Sequence, residues 1–136
     1  MNIILSMSKY WIGGHTKYRL MYHIVWVPKY RKRILSGKIS LRLEELLNDC
    51  ADVNGWKIKE LKIKKDHVHI LVELGTRVSV SKAVQMFKGG SSIKLREEFP
   101  DLKEFLWGDS FWADGYFAET VGKVNEEKIV SYIKKQ

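Results

Sequence analysis

Cysteine is almost missing from this chain, with Cys50 as its single example. That excludes a disulfide scaffold and leads us to expect a reducing, intracellular (cytoplasmic) setting. Proline is nearly as scarce, so only Pro28 and Pro100 force breaks in regular structure. No apolar run approaches the roughly 20 residues of a membrane-spanning helix. The opening MNIILSMSKYW lacks the basic start and apolar length of a secretory signal. Repeats, low-complexity tracts and long linkers are absent too, and 136 residues with 45% hydrophobic content read most simply as one domain, 1–136. Acidic residues are also under-represented. There are 16 Asp+Glu against 24 Lys+Arg, a formal charge of +8. A surface rich in both signs would leave no such imbalance, whereas a one-sided excess suits a polyanion, nucleic acid being the commonest.

What is present organises the chain. Residues 17–27, KYRLMYHIVWV, are aromatic and β-branched and predict a strand that Pro28 ends. KYRKR follows as a basic loop. Residues 39–54 predict a helix, because Ile39, Leu43, Leu46, Leu47, Cys50 and Val53 recur at spacings of three and four, with Asn54-Gly55 as the stop. Two strands, 56–65 and 67–74, should form a hairpin about Lys65-Asp66, although the alternation in the first is untidy. A helix is expected over 79–99, with Gly89-Gly90 weakening its middle by about 1 kcal/mol per glycine. A strand over 111–120 and a last helix from about Asn125, its expected N-cap, complete the order. Strand–helix–strand, repeated, predicts an α+β ferredoxin-like sandwich: a four-stranded antiparallel sheet, two helices on one face, an extra C-terminal helix, and the other face free for function.

The strand KKDHVHILVEL carries the chemistry. Side chains alternate along a strand, so Val68, Ile70, Val72 and Leu74 share an apolar face. His67 and His69 stand together on the opposite face, preoriented to hold a divalent ion. The plain alternative is a surface pair, or a histidine satisfied by Asp66. His15 reads as an exposed loop residue, and His23 as a strand residue satisfied by hydrogen bonding. In the last helix Tyr132 and Gln136 are four apart and share a face. On spacing alone they fit equally a core tyrosine and a frayed terminus.

Five blocks, YHIVWVPKYRKRIL from Tyr22, KDHVHILVEL from Lys65, SKAVQMFKGGSS from Ser81, FWADGYFAETVG from Phe111 and the terminal YIKKQ, together resemble the single-tyrosine transposases of the HUH class. These belong to the insertion-sequence group that moves as single-stranded DNA. His67-Val68-His69 is the histidine–hydrophobe–histidine motif, weak alone and specific in this company. The resemblance implies Tyr132 as nucleophile, with His67, His69 and Gln136 as ligands of Mg²⁺ or Mn²⁺. It implies cleavage and rejoining of single-stranded DNA hairpins at element ends through a 5′-phosphotyrosine. It also implies a homodimer in which one subunit's helix completes the other's histidine site. One departure stands out: relatives often place an acid three residues before the first histidine, where this chain has Lys64. Asp66 and Glu73 are nearby carboxylates without an assigned role.

Substrate contacts are expected from Lys29, Arg31, Lys32 and Arg33, the densest basic cluster, and from Lys88 beside the glycine pair. Trp107, Phe111, Trp112, Tyr116 and Phe117 offer rings for unpaired bases, or for the core. Gly122 is placed to act as a pivot before the last helix. The rival readings are a noncatalytic single-strand-binding sandwich, a water-using phosphodiesterase and an inactive relic.

Overall fold

The fold is described from a computed structural model, over residues 11–13, 16–106 and 110–136. His15, Trp107 and Gly108 lie outside the described residues. In chain order the elements are β1 (Trp11–Gly13), β2 (Thr16–Tyr18), β3 (Leu20–Trp26), a 3-10 turn (Lys29–Arg31) and α1 (Gly37–Asn54). They continue with β4 (Lys57–Lys64), β5 (His67–Leu74), α2 (Val80–Glu98), α3 (Leu102–Phe105), β6 (Phe117–Thr120) and α4 (Lys123–Lys134). β1 and β2 pair as a small hairpin of their own. The other four strands form one antiparallel sheet in the order β4-β5-β3-β6. That is the ferredoxin-like arrangement expected from the sequence.

The main core lies between this sheet and helices α1 and α2. Ile24 and Trp26 of β3 and Val68, Ile70, Val72 and Leu74 of β5 meet Leu43, Leu47 and Ala51 of α1 and Val84, Phe87 and Leu95 of α2. Trp26 stacks on Phe87 with centroids 5.9 Å apart, and Trp112 meets Trp26 edge-on at 6.0 Å. α1 ends as its sequence demands. Gly55 adopts φ 73°, and its N–H returns to the carbonyls of Ala51 and Asp52. The untidy alternation of β4 has a cause, a register shift against β5 between Ile58 and Glu60.

The opposite face of the sheet is not free, as the sequence reading had it. α4 lies across part of it, seated by a second cluster of Met21, Leu71, Val121 and Ile133 with Ile129 and Val130. Burying a side chain such as Ile133 contributes about 1.5–3 kcal/mol. The flanking ion pairs Arg19–Glu126 (2.6 Å) and Lys134–Glu60 (4.0 Å) are of the kind that adds about 0–1 kcal/mol. Apolar contact therefore dominates the docking of this helix, and the ion pairs set its direction.

Other expectations change in detail. The first strand divides, because Thr16–Tyr18 turns away to pair with Trp11–Gly13. The last strand shortens to Phe117–Thr120. Before it, Phe111 and Trp112 are buried and Gly115 turns the chain at φ 83°. α4 begins at Lys123 with Gly122 as N-cap, and Asn125 instead gives its backbone N–H to the Gly122 carbonyl. Val53, expected on the inner face of α1, is 85% exposed.

Gly89 and Gly90 do not break α2. Ser79 caps it by accepting from the Lys82 N–H, and Phe87, Ser91 and Leu95 anchor it on either side of the pair. A Cβ added at either glycine meets nothing within 4 Å. Gly89→Ala and Gly90→Ala are therefore each expected to stabilise the fold by about 1 kcal/mol, read as a higher urea midpoint at unchanged slope.

Candidate active site

His67 and His69 project from β5 toward the α4 side of the sheet, their rings 4.8 Å apart and nearly perpendicular. His69 is buried (5% exposed). His23 joins them from β3. It is diagonal to His69 in the pairing that sets Val25 opposite His69 and His23 opposite Leu71. The His23 and His69 rings are close to parallel, 8° apart in plane, with His23 Nε2 3.1 Å from His69 Nδ1. Beyond it, His23 Nδ1–H donates to Glu119 Oε1 on β6 at 2.9 Å. His67 has a carboxylate partner of its own: its Nδ1–H donates to Asp66 Oδ1 at 2.7 Å.

Asp66 in turn accepts from Arg31 Nε through Oδ2 at 3.0 Å. This contact depends on an unusual turn. Tyr30 and Arg31 both adopt left-handed backbone, φ 58° and 51°, which costs non-glycine residues about 1–3 kcal/mol each. The turn is fastened where Lys29 N–H bonds the Phe111 carbonyl at 2.8 Å. The Asp66 carboxyl is held below its ordinary range by the His67 hydrogen bond, with Arg31 assisting and burial opposing.

Tyr132 arrives from α4 of the same chain. Ile133 faces inward, so the preceding tyrosine stands at the rim of the cluster, 51% exposed. Its ring lies 5.8 Å from that of His69 and 6.2 Å from that of His23, edge-on to both. Gln136 lies just past the helix end, its N–H bonded to the Ile133 carbonyl. Its side-chain amide reaches His69. Burial pushes His69 down to about 4, the neighbouring His67 and His23 adding to the fall and the Gln136 hydrogen bond opposing it. His69 is thus a neutral imidazole near pH 7, the form that ligates metal.

The set fits a divalent cation. His67 and His69 both have Nδ1 engaged by protein, so an ion would be met by Nε2, on His69 alongside or in place of the Gln136 amide; a carboxylate behind the ring, as Asp66 stands behind His67, is what metal-ligating histidines commonly have. Among the described residues no three histidine, cysteine or carboxylate side chains gather into a cage. The third protein donor available is the Gln136 amide, leaving positions for water or substrate oxygen.

The basic residues divide. Arg31 is committed to Asp66 while remaining largely exposed, and Arg33 is exposed. Lys29 lies over the Tyr30 ring at 5.7 Å, and Lys32 is half-buried in the same turn. Lys88 is turned elsewhere: its ammonium donates to the carbonyls of Ala113 (2.8 Å) and Gly115 (2.6 Å), fastening the segment that leads into β6. Burial lowers its pKa, with Asp114 opposing. Of the aromatic candidates, Phe111 and Trp112 belong to the core, while Tyr116 and Phe117 are exposed. Phe117 lies edge-on to His23 at 6.1 Å. Glu119, and the part His23 plays beside His69, escaped the sequence reading, because only strand pairing makes them neighbours.

The fold and the sequence are those of a transposase. The family of IS200-like transposases matches residues 16–136, and the chain belongs to it. The ISDra2 transposase TnpA of Deinococcus radiodurans is 34% identical over 132 residues, 97% of this chain and 92% of the relative. The transposase for insertion sequence element IS200 of Salmonella typhimurium is 38% identical over 123 residues, 90% of this chain and 80% of the relative. Among solved structures, a candidate transposase from Deinococcus radiodurans R1 superposes with a TM-score of 0.76 at 31% identity, over 93% of this chain and 97% of the other. A REP-associated tyrosine transposase bound to a REP hairpin shares the fold, with a TM-score of 0.62 at 11% identity over 90% of this chain and 70% of the other. Within the described residues no helix is long and apolar enough to cross a membrane.

The His69 shift has a consequence for stability. The unfolded chain takes up a proton on this residue below about pH 6.5, while the fold keeps it neutral until about pH 4. The unfolded state binds more protons between these values, so stability falls as pH drops from about 6.5 to about 4 and this contribution is spent below that. Urea melts of metal-free protein should show the slope, and His69→Gln should flatten it.

Proposed function

We propose that the chain cleaves and rejoins single-stranded DNA with Tyr132 as nucleophile. The observation that carries this reading is the accessible Tyr132 ring beside His69, with His67 next to it and Gln136 close behind. The Tyr132 oxygen attacks the scissile phosphorus, a new P–O bond forms to tyrosine and the bond to the 3′ oxygen breaks. The phenolic proton leaves to solvent, and the departing oxygen gains one to become a 3′-hydroxyl. The product is a 5′-phosphotyrosine that keeps the energy of the broken linkage, so a 3′-hydroxyl can attack it and seal a new junction without ATP.

Two features of the chain answer the electrostatic difficulty, since the phosphodiester is anionic and a free phenol has a pKa of about 10. His67 and His69 through Nε2, with the Gln136 amide oxygen, are the residues that would hold Mg²⁺ or Mn²⁺. Bound there, such an ion offsets charge building on the phosphate oxygens. The exposed Arg33 and the Lys29–Arg31 turn supply positive charge next to Asp66 at the His67 end of the site, where a backbone phosphate is attracted without sequence being read. Phe117 offers an exposed ring, 53% accessible, on the edge strand beside His23, suited to stacking an unpaired base.

DNA hairpins near element ends are the proposed substrates, and a homodimer the proposed assembly. Helix α4 of a second copy could make the same contacts as the chain's own. Mixing Tyr132→Phe chains with His67→Ala chains separates the two arrangements: activity restored means exchanged helices, and background activity means sites built within one chain.

Incubation with a library of single-stranded hairpins and Mn²⁺, followed by denaturing gels and peptide mapping, tests the chemistry. The expected result is a covalent adduct at Tyr132 that Tyr132→Phe abolishes. Single-strand binding with no adduct, or an adduct at another residue, contradicts it. Phe117→Ala is expected to weaken single-strand binding by about 1–3 kcal/mol while leaving the melting temperature nearly unchanged.

A further inference from the structure

We propose that Glu119 is a positioning residue that acts through His23 to fix which nitrogen of His69 carries the proton. This rests on the reading of His69 as a metal ligand. The hydrogen-bonded chain runs Glu119 Oε1, His23 Nδ1, His23 Nε2, His69 Nδ1, with spacings of 2.9 Å and 3.1 Å at its two contacts. A carboxylate only accepts, so Glu119 requires the His23 proton on Nδ1. With His23 neutral, its Nε2 is then a bare lone pair. The contact to His69 can form only if His69 Nδ1–H donates. A neutral His69 that carries its proton on Nδ1 has nothing on Nε2, and that nitrogen is free to ligate.

The direction of the chain is not fixed by the two imidazoles alone. Without the carboxylate, His23 can hold its proton on Nε2 and donate to His69 Nδ1. The His69 proton then sits on Nε2 and must be lost before an ion binds. The two rings are nearly parallel and buried (His23 4% exposed), so water is poorly placed to impose either direction. The Gln136 amide also bonds His69, but it can present either its oxygen or its NH2 and so accommodates both tautomers; Glu119, which only accepts, is the group that breaks the symmetry. It is delivered by β6, whose register places it directly opposite His23. His67 reaches the same state by a shorter route, giving its Nδ1–H to Asp66. Both ligand imidazoles therefore present Nε2, each held from behind by a carboxylate, one directly and one through a third histidine.

The test uses full-length protein with ¹⁵N-labelled histidine, in wild type, Glu119→Gln and Glu119→Ala. The Glu119 side chain is 43% exposed, so both variants should fold, which melting curves check. Long-range ¹H–¹⁵N correlation on metal-free protein reads the protonated nitrogen of His69, and calorimetric titration reads Mn²⁺ affinity. The expected result is Nδ1–H in wild type, a substantial Nε2–H population in both variants, and Mn²⁺ binding weaker by about ten- to a hundredfold. If His69 keeps Nδ1–H in both variants, the inference is overturned, whatever the metal does. If the proton moves and Mn²⁺ affinity does not, Glu119 has no bearing on ligation and the inference is equally overturned. If the proton moves while no form, wild type included, binds Mn²⁺, the tautomer relay stands and the metal reading falls.

Discussion

The site depends on one apolar contact, the seating of Ile133 against Met21, Leu71 and Val121 on the far face of the sheet. That contact fixes the rotation of α4, and rotation decides what the neighbouring residue does. With Ile133 turned inward, Tyr132 is carried to the edge of the cluster, beside His69 and His23, with its ring still open to solvent. A helix turned by one residue would bury the phenol and expose the isoleucine. The apolar pattern of a short terminal helix is thus a condition for placing a polar group.

The second face of the sheet is divided between two tasks. One end is a dry patch that holds α4. The other is a polar strip in which three histidines and two carboxylates are linked by hydrogen bonds of 2.7–3.1 Å. Buried imidazoles are costly unless every nitrogen has employment. Here the Nδ1 atoms are satisfied by protein, and His69 has a further partner in the Gln136 amide. The capacity of the site for a new ligand is concentrated where Tyr132 and Gln136 approach.

Much of this architecture was legible in the sequence, and the parts that were not have physical reasons. Alternation along His67–Leu74 separated the imidazoles from the core correctly, because a regular strand has a strict period of two. The same rule faltered over 56–65, where a register shift breaks the period. Gly89-Gly90 was read as a weak point in its helix, which nonetheless runs on unbroken, since local propensity cannot register the burial of Phe87 and Leu95 that overrides it. Residues 111–116 looked like strand because they are rich in aromatics, but Phe111 and Trp112 are buried without a strand, Trp112 against Trp26 and Ser91 of α2. His23 was read as satisfied by hydrogen bonding, and it is. That its partners are His69 and Glu119 follows from the order β5-β3-β6, a long-range fact that composition and spacing do not contain. Lys88 looked like a phosphate contact beside a glycine pair, whereas its ammonium caps carbonyls 25 and 27 residues further along the chain.

Lys64 stands opposite His67 in the hairpin register, while Asp66 in the turn supplies the carboxylate that holds His67.

The most direct test of the account is paramagnetic relaxation from Mn²⁺, read on the ring signals of ¹³C-tyrosine-labelled protein. The account requires substoichiometric Mn²⁺ to broaden the Tyr132 signal first and most strongly, and requires His67→Ala to remove the effect. A Tyr132 signal that stays sharp while another tyrosine broadens would mean that the phenol and the imidazole pair do not share a site.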